Sequence, residues 1–536
     1  MGLAVIPAAP ADARRMEQRS DVANYLEARL AEASNAPEVA ARLYAETLTN
    51  LPDNSLIAGK TYRQAIASGD FPTALRAVRA IGRNGMVDPE MPLLLFADAV
   101  AKGDRGEANR SLDQLKLLGN LAFMEPLLRS WVDSSIAPPG EADALGQFYA
   151  RERDILQAMV ARNEAAALQQ LSTLDDDGQG RLSPLRILLA RYLVERGKGD
   201  DARKLLEQPA NSAEKTLLDG ISAGRKVGER IDQRGAIGFL LARVGADVSA
   251  QNANFLGLVF AQCAKYLAPN NDYAVLTLAR SYARNESDQL ALAQFAAIPR
   301  ISAYHRTALN SQVGIYSKSE KYADAIALLA RDRADGGGVA EDFALLGQIL
   351  QSSGDPAAAA EQFQTALALV KRDGDPRNEA AYWLLLGGAQ EQAGQWPEAL
   401  TALREADRLQ PNSAVILNYL GYAQLERREN ISDAVAAITR AHKLDPTSAA
   451  ITDSLGWANF LIGNHGEAAQ LLEAALQGQP DDPTINEHLG DTYWALGRLY
   501  EARYAWQAAV LFADDKNKAR LEKKIDLGLT PELQSP

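Results

Sequence analysis

Apolar and small residues recur along this chain with a step of about 34 positions, most clearly between residues 380 and 514. Each recurrence begins with a Leu-Gly pair, followed by one Ala about twelve positions later and a second Ala about seven beyond it. The small positions of the four clearest units are Gly387, Ala399, Ala406, Gly421, Ala434, Ala441, Gly456, Ala468, Ala475, Gly490, Ala502 and Ala509. The large residues between them are Leu403, Ile438, Leu472 and Trp506. This spacing predicts two antiparallel helices in each unit, which cross where a small residue lets the backbones approach.

The same pattern marks the ends of the helices. Pro411, Pro446 and Pro480 follow the second helix of three units, and proline cannot continue a helix. Ser413 and Ser448 lie where the next helix needs an N-terminal cap. We therefore expect each unit to consist of a helix, a turn, a second helix and a short link that contains proline.

These residues resemble the tetratricopeptide repeat, a helix–turn–helix unit of 34 residues. The resemblance implies an all-α fold, a right-handed superhelical solenoid of about 14 tetratricopeptide-like helix pairs that runs over nearly the whole chain. The pattern is weaker before residue 378, although Gly69 and Gly103 keep the step. Residues 120–180 and 219–248 are predicted to be helical, but the sequence leaves open whether they are true repeats.

Changes in the strength of the pattern divide the chain into five predicted segments. These are residues 1–20 as a flexible tail or the remnant of a signal peptide, 21–248 as divergent repeats, 249–371 as tetratricopeptide-like repeats, 380–514 as well-formed repeats, and 515–536 as a capping helix and tail. A cap is expected because the apolar side of a last repeat would otherwise face water.

Length, charge and cysteine content exclude several classes of protein. A chain of 536 residues is too long for one compact core, so its length predicts either several domains or a solenoid. The net charge of −13 and the lack of a long basic stripe argue against nucleic acid as a partner. No run is long and apolar enough to predict a membrane span. Cys263 is the only cysteine, so an intramolecular disulfide or a cysteine-based zinc site is excluded.

The sequence offers no convincing catalytic or metal site, so we predict a protein that is not an enzyme and needs no cofactor. The four histidines are scattered, and no two lie four positions apart on a helix. Asp175 and Asp177 fit the first and third positions of a calcium-binding loop. Arg186, however, occupies the twelfth position, where a bidentate Glu is required. We interpret this stretch as an acidic turn between helices.

Two tryptophans are not explained by the repeat pattern. Trp457 and Trp494 lie on the first helices of their units, and the resemblance to tetratricopeptide arrays implies that this helix lines the concave surface. The predicted partner-binding residues, which share that surface by helical spacing, are Asn418, Tyr422, Asp453, Trp457, Phe460, Glu487, Asp491 and Trp494. Indoles beside carboxylates suit a peptide or helix of basic or neutral charge. The alternative is that these residues pack against a neighbouring repeat.

These features predict a non-enzymatic scaffold or adaptor that binds protein or peptide partners. The phrases NYLGY, DSLGW and HLGDTYW, within residues 378–527, are similar to bacterial envelope tetratricopeptide repeat proteins, some of which bring substrates to a carboxyl-terminal processing protease. The resemblance implies an envelope adaptor for a protease or an assembly complex. The alternatives are a cytoplasmic assembly scaffold and, less favoured, an accessory part of a glycosyltransferase system.

The expected compartment depends on the first residues. If MGLAVIPAAPADARR is the remnant of a signal peptide, a periplasmic or envelope-associated location is expected; otherwise the location is cytoplasmic. No Cys follows the apolar piece, so the sequence does not predict a lipid anchor. The identity of the partner and the oligomeric state are left open.

Overall fold

The computed structural model describes residues 20–83, 88–117, 119–132, 144–174, 180–334, 338–373 and 378–535. Within these ranges the chain forms 29 α-helices, one short 3-10 helix and no strand. The predicted all-α fold of helix pairs is therefore confirmed. None of the described helices combines the length and the apolar character needed to cross a membrane. The predicted N-terminal tail and the calcium-loop candidate that begins at Asp175 lie outside the described residues.

Contacts between helices divide the chain into two compact units, unit 1 up to Lys318 and unit 2 from Ser319 onward. In unit 1 the helices are α1 (Asp21–Ala33), α2 (Pro37–Asn50), α3 (Ser55–Ser68), α4 (Phe71–Arg83), α5 (Met91–Lys102), α6 (Arg105–Leu117), α7 (Met124–Val132), α8 (Ala144–Val160), α9 (Glu164–Leu171), α10 (Ser183–Glu195), α11 (Gly199–Leu205), α12 (Ser212–Ser222), α13 (Gln233–Ala250), α14 (Asn254–Leu267), α15 (Asp272–Arg284), α16 (Asp288–Ala296) and α17 (His305–Lys318). In unit 2 they are α18 (Tyr322–Ala334), α19 (Ala340–Ser352), α20 (Pro356–Asp373), α21 (Glu379–Gln392), α22 (Trp396–Leu409), α23 (Ala414–Glu426), α24 (Ile431–Leu444), α25 (Ala449–Leu461), α26 (His465–Gly478), α27 (Pro483–Ala495), α28 (Leu499–Phe512) and α29 (Asp515–Leu527). The five predicted segments stay a prediction.

Unit 2 contains the repeats that the sequence predicts most clearly. In every pair from α19/α20 to α27/α28, a glycine of the first helix faces a large side chain of the second helix. The facing residues are Gly347 with Phe363, Gly387 with Leu403, Gly421 with Ile438, Gly456 with Leu472, and Gly490 with Trp506. A β-carbon on these glycines would lie only 2.4 to 2.7 Å from the side chain opposite. A larger residue would push the helices apart, so the predicted crossing is confirmed.

The predicted helix ends are also confirmed. α22, α24 and α26 end two residues before Pro411, Pro446 and Pro480, respectively. The hydroxyl groups of Ser413 and Ser448 accept hydrogen bonds from backbone N–H groups at the start of α23 and α25, each at 3.4 Å. These caps satisfy donors that the first turn of a helix leaves unpaired.

Unit 1 is centred on α13 and α14, which pack closely against each other. All residues of α13 from 236 to 245 are buried. Gly238 lets the two helices approach, because a β-carbon there would lie 2.7 Å from the side chain of Ala268. A helix that is buried on all sides has no polar face. This is why the part of the sequence that forms α13 shows no repeat phase.

Helices that are distant in sequence also meet at this centre. α14 packs against α3 and α5. The Gln262 amide donates a hydrogen bond to the backbone carbonyl of Ile66 over 3.2 Å, and the Tyr266 ring stacks on Phe71 with centroids 4.3 Å apart. In a plain solenoid each repeat contacts only its neighbours. Unit 1 therefore departs from that arrangement.

Candidate functional site

The eight predicted partner-binding residues lie on the first helices of the last three repeats. α23 carries Asn418 and Tyr422, α25 carries Asp453, Trp457 and Phe460, and α27 carries Glu487, Asp491 and Trp494. α25 packs against both α23 and α27, so these residues belong to one continuous surface, which we name the inner surface. α29 and the residues that follow it cover part of this surface.

The aromatic residues of the inner surface form a stack. The Trp457 indole lies between the Phe460 ring, with centroids 4.6 Å apart, and the His488 ring, with centroids 4.3 Å apart. Trp457 is 0% exposed, and its Nε1–H group has no acceptor among the described residues. Because His488 belongs to the next repeat, packing against a neighbouring repeat accounts for the position of Trp457.

A buried pair joins α25 to α27. Nδ1 of His488 lies 2.9 Å from a carboxylate oxygen of Asp453, and both side chains are buried. Burial by itself lowers the pKa of this imidazole, but the carboxylates of Asp453, Asp491 and Glu487 raise the pKa above its ordinary value. This arrangement therefore favours the protonated form of His488, whose positive charge compensates that of Asp453.

The two carboxylates of α27 are paired with cations of α29. The Lys524 ammonium group, which is 0% exposed, lies 2.6 Å from Glu487 and 2.7 Å from Asp491. Arg520 donates to the other oxygen of Glu487 at 2.8 Å. Asp491 also accepts a hydrogen bond from the indole Nε1–H of Trp506 at 2.9 Å. Buried charges require such partners, so these ion pairs fix α29 to the inner surface.

An irregular stretch from Gly528 to Ser535, which we name the tail segment, continues from α29 across the inner surface. The backbone N–H and the hydroxyl of Ser535 both donate to Asp491, each at 2.9 Å. The side-chain oxygen of Gln534 accepts a hydrogen bond from Arg428 at 3.2 Å. The far part of the tail segment is therefore held by polar contacts.

The near part of the tail segment packs on aromatic side chains. Leu529 contacts the cluster of Trp457 and Phe460 and also a second cluster that includes Trp494. Gly528 lies so close to Trp494 that a β-carbon on this glycine would be 2.2 Å from the indole. The tail segment thus covers the tryptophans that the sequence suggested for a partner.

Asn418 and Tyr422 lie on the α23 side of the inner surface and are half-buried. Burial and the carboxylate of Glu426 raise the pKa of Tyr422 well above its usual range. Within the described ranges, the buried side-chain oxygen of Asn418 has no hydrogen-bond donor. The described residues therefore leave the hydrogen-bonding capacity of this buried oxygen unused.

Sequence reasoning missed the residues that cover the inner surface. The sequence predicts a cap over residues 515–536, and its carboxylates predict a basic or neutral partner. The structure instead pairs Asp453 with His488, and it pairs the α27 carboxylates with Lys524. The available signal was the basic stretch 516–524, because buried carboxylates require nearby cations. The partner-binding role of the eight residues stays a prediction.

Unit 1 contains a cleft of about 1000 Å³ that is lined by residues of α8, α10, α13 and α14. Two of its arginines already have carboxylate partners, since Arg230 pairs with Glu195 at 2.6 Å and Arg196 pairs with Glu164 at 2.8 Å. The lining also contains Arg162 and Arg234 together with the carboxylates of Glu229 and Asp232, so the cleft presents charges of both signs. Across the described parts of both units, no group of three His, Cys, Asp or Glu side chains is placed to hold a metal ion.

Comparison with known proteins agrees with the repeats of unit 2. Sequence models of the tetratricopeptide repeat match residues 342–410 and, in two overlapping matches, residues 420–483 and 463–518. The helix pairs in this part of the chain are therefore tetratricopeptide repeats, a class of repeat that serves protein binding. No curated protein matches the chain.

Several solved structures resemble the chain or part of it. Yeast Tom70 is 13% identical, with 95% of each chain covered and a TM-score of 0.37. A thermophilic tetratricopeptide repeat protein of Thermus thermophilus is 23% identical, with 35% of this chain and 100% of that chain covered and a TM-score of 0.31. PilW, a widely conserved type IV pilus biogenesis factor, is 22% identical, with 36% and 88% covered and a TM-score of 0.31. All three scores are below 0.5, so these likenesses do not bear on function.

Proposed function

We propose that this protein is a scaffold for protein partners and that the inner surface of the last three repeats holds one of them. The tetratricopeptide repeats support this role, because repeats of this kind present extended surfaces to partners. The observation that carries the proposal is the tail segment, an irregular stretch of polypeptide that lies on the inner surface and is held through backbone and side chains. A surface with these contacts has the chemistry to hold another polypeptide.

The contacts of the tail segment indicate the chemistry of such a partner. Leu529 packs beside Trp457 and Phe460, where an aliphatic side chain is suited. Asp491 accepts hydrogen bonds from the N–H and hydroxyl groups of Ser535, where a serine or threonine is suited. The proposal therefore concerns binding and assigns no reaction to the protein.

For the cellular role, we propose an envelope adaptor that brings partners to a protease or to an assembly complex. The support is the similarity of NYLGY, DSLGW and HLGDTYW to bacterial envelope proteins of this kind. A cytoplasmic assembly scaffold is the alternative. Fractionation of cells that produce the protein from its native gene separates the two. The adaptor role predicts recovery with periplasmic or membrane proteins, and recovery only with cytoplasmic proteins would contradict it.

Site-specific photo-crosslinking in living cells tests the binding role. A benzophenone amino acid replaces Asn418 or Tyr422 at the inner surface and, as a matched control, Tyr500, which is 82% exposed on α28. We expect a discrete cross-linked protein from the inner positions and no species of that mass from Tyr500. The same product from Tyr500 alone, or from none of these positions, would contradict binding at the inner surface.

A further inference from the structure

The tail segment and α29 are attached to the inner surface in different ways. α29 is fixed by Lys524, which is buried between two carboxylates. The tail segment is anchored mainly near its two ends, by Leu529 and Ser535. Pro531 and Glu532 between these anchors are exposed. A segment that is anchored at separated points can leave without unfolding of the helix that precedes it.

Release of the tail segment leaves no buried charge without a partner. Asp491 accepts hydrogen bonds from Ser535, but it also accepts from Lys524 and Trp506. Those two donors belong to α29 and α28 and stay in place when Ser535 moves away. Release breaks apolar packing, the two hydrogen bonds that Ser535 donates to Asp491 and the bond that Lys524 donates to the Ser535 hydroxyl at 3.1 Å. It also breaks the exposed contact between Arg428 and Gln534, whereas the buried ion pair between Lys524 and Asp491 persists.

Gly528 lies at the junction of the two parts. It follows the last residue of α29 and has a φ of +87°, in the left-handed region that favours glycine. Because Gly528 has no side chain, the Trp494 indole can pack directly against its backbone. Rotation at this glycine moves the tail segment while α29 stays attached.

We propose that the tail segment is an internal ligand that occupies the inner surface until a partner peptide replaces it. The partner carries an aliphatic side chain in the place of Leu529 and, six positions later, a serine or threonine in the place of Ser535. This inference rests on the proposed function, because the inner surface must first be a partner site. A tethered segment competes at a millimolar effective concentration, so it excludes partners that bind weakly.

Binding of a labelled peptide to the full-length protein tests this competition. The probe is a fluorescent peptide of residues 527–535, LGLTPELQS, and binding is measured by fluorescence anisotropy. The opened variant carries Leu529→Asp and Ser535→Pro, which remove the apolar anchor, both hydrogen bonds that Ser535 donates to Asp491 and the hydroxyl that accepts from Lys524. We expect the opened variant to bind the probe about 100-fold more tightly than the wild type, the ratio of a millimolar effective concentration to a Kd of about 10 μM.

Two controls accompany this measurement. Glu532→Gln changes an exposed position of the same tail segment and should bind the probe as weakly as the wild type. A probe that carries Leu529→Asp and Ser535→Pro should not bind the opened variant. Equal binding of the original probe to the wild type and the opened variant, or no binding to an opened variant with wild-type helicity, would overturn the proposal.

Hydrogen exchange of the wild-type protein gives an answer that depends on no variant. Amides of the tail segment should exchange at least tenfold faster than those in the middle of α29, because local release exposes them first. Equal, slow exchange of both would overturn the proposal, because the tail segment would then open only when α29 unfolds.

The two proposals can fail separately. Cross-links from Asn418 or Tyr422 without competition in the peptide assay would support the scaffold role and contradict the proposal that the tail segment is an internal ligand. Competition in the peptide assay without cross-links in cells would show that the tail segment binds the inner surface, but it would contradict a partner site there.

Discussion

The crossing glycines determine how closely the two helices of a repeat approach. Gly456 faces Leu472, and a β-carbon there would lie 2.7 Å from the leucine side chain. Gly456→Ala should overpack the crossing at a cost of about 1–3 kcal/mol, which outweighs the gain in helix propensity of about 1 kcal/mol. We expect faster hydrogen exchange in α25 and α26 of this variant, because their local stability falls.

Gly466→Ala is the matched control in the same repeat, since nothing lies within 4 Å of the position its β-carbon would take. It should leave hydrogen exchange unchanged or slow it, because alanine favours a helix over glycine. Slower exchange in Gly456→Ala as well would show that the crossing has room for a side chain.

His488 should make the stability of the last repeats depend on pH. Burial lowers its pKa, but Asp453 and the two α27 carboxylates raise the pKa above the ordinary value. Because the folded state holds the His488 proton more tightly, this proton stabilises the folded protein. The stabilisation is complete below the unfolded pKa of about 6.5 and is lost as pH rises through the folded pKa. In that window the wild type should lose up to about 1.4 kcal/mol per pH unit relative to His488→Asn.

Urea unfolding of both proteins between pH 6 and pH 9 measures this difference. The free energy of unfolding should fall with pH more steeply in the wild type than in His488→Asn. Parallel profiles would contradict a raised pKa of His488 in the folded protein.

Lys524 is the fully buried cation among the contacts that attach α29 to the inner surface. Lys524→Met keeps an unbranched stem but removes the cation that Glu487 and Asp491 share. Breaking a buried ion pair from one side costs about 3–5 kcal/mol. We therefore expect a lower urea midpoint and faster hydrogen exchange throughout α29. Arg498→Met is the control, since Arg498 pairs with Glu473 at the surface, and surface pairs add little stability. Equal effects of the two substitutions would contradict the special role of Lys524.

The helices of the two units differ in how well the sequence predicts them. The repeats of unit 2 were predictable because each helix has one small, buried face at a fixed step, as at Gly421 and Gly456. α13 could not be predicted in this way, because its buried residues 236–245 have no polar face from which the helical period can be recognised. Amphipathic period is a local signal, and burial on all sides removes it.

The whole molecule is built from two compact units, each with apolar clusters of its own. We expect the separate segment 319–536 to fold alone, since neighbouring repeats stabilise one another without a distant core. Far-ultraviolet circular dichroism should show a helical spectrum and a cooperative thermal transition. An unstructured or aggregated segment would contradict this expectation.

The candidate surface was predictable only in part. Helical spacing placed Asp453, Trp457 and their neighbours on adjoining first helices, as the structure shows. It did not reveal that Trp457 is enclosed between Phe460 and the next repeat. Nor did it reveal Ser535, which meets a carboxylate 44 positions earlier in the chain. That contact occurs only once in the chain, so the repeat pattern cannot predict it.

The sequence by itself determined the helix pairs, their ends and their close crossings. These features depend on residues within one repeat, and the same residue pattern recurs in successive repeats. Only the tertiary structure decided that α14 packs against α3 and α5, and that α29 and the tail segment cover the inner surface. Those arrangements depend on contacts between distant residues that do not recur from one repeat to the next. Their stability comes from burial and charge pairing that arise only when the chain is folded.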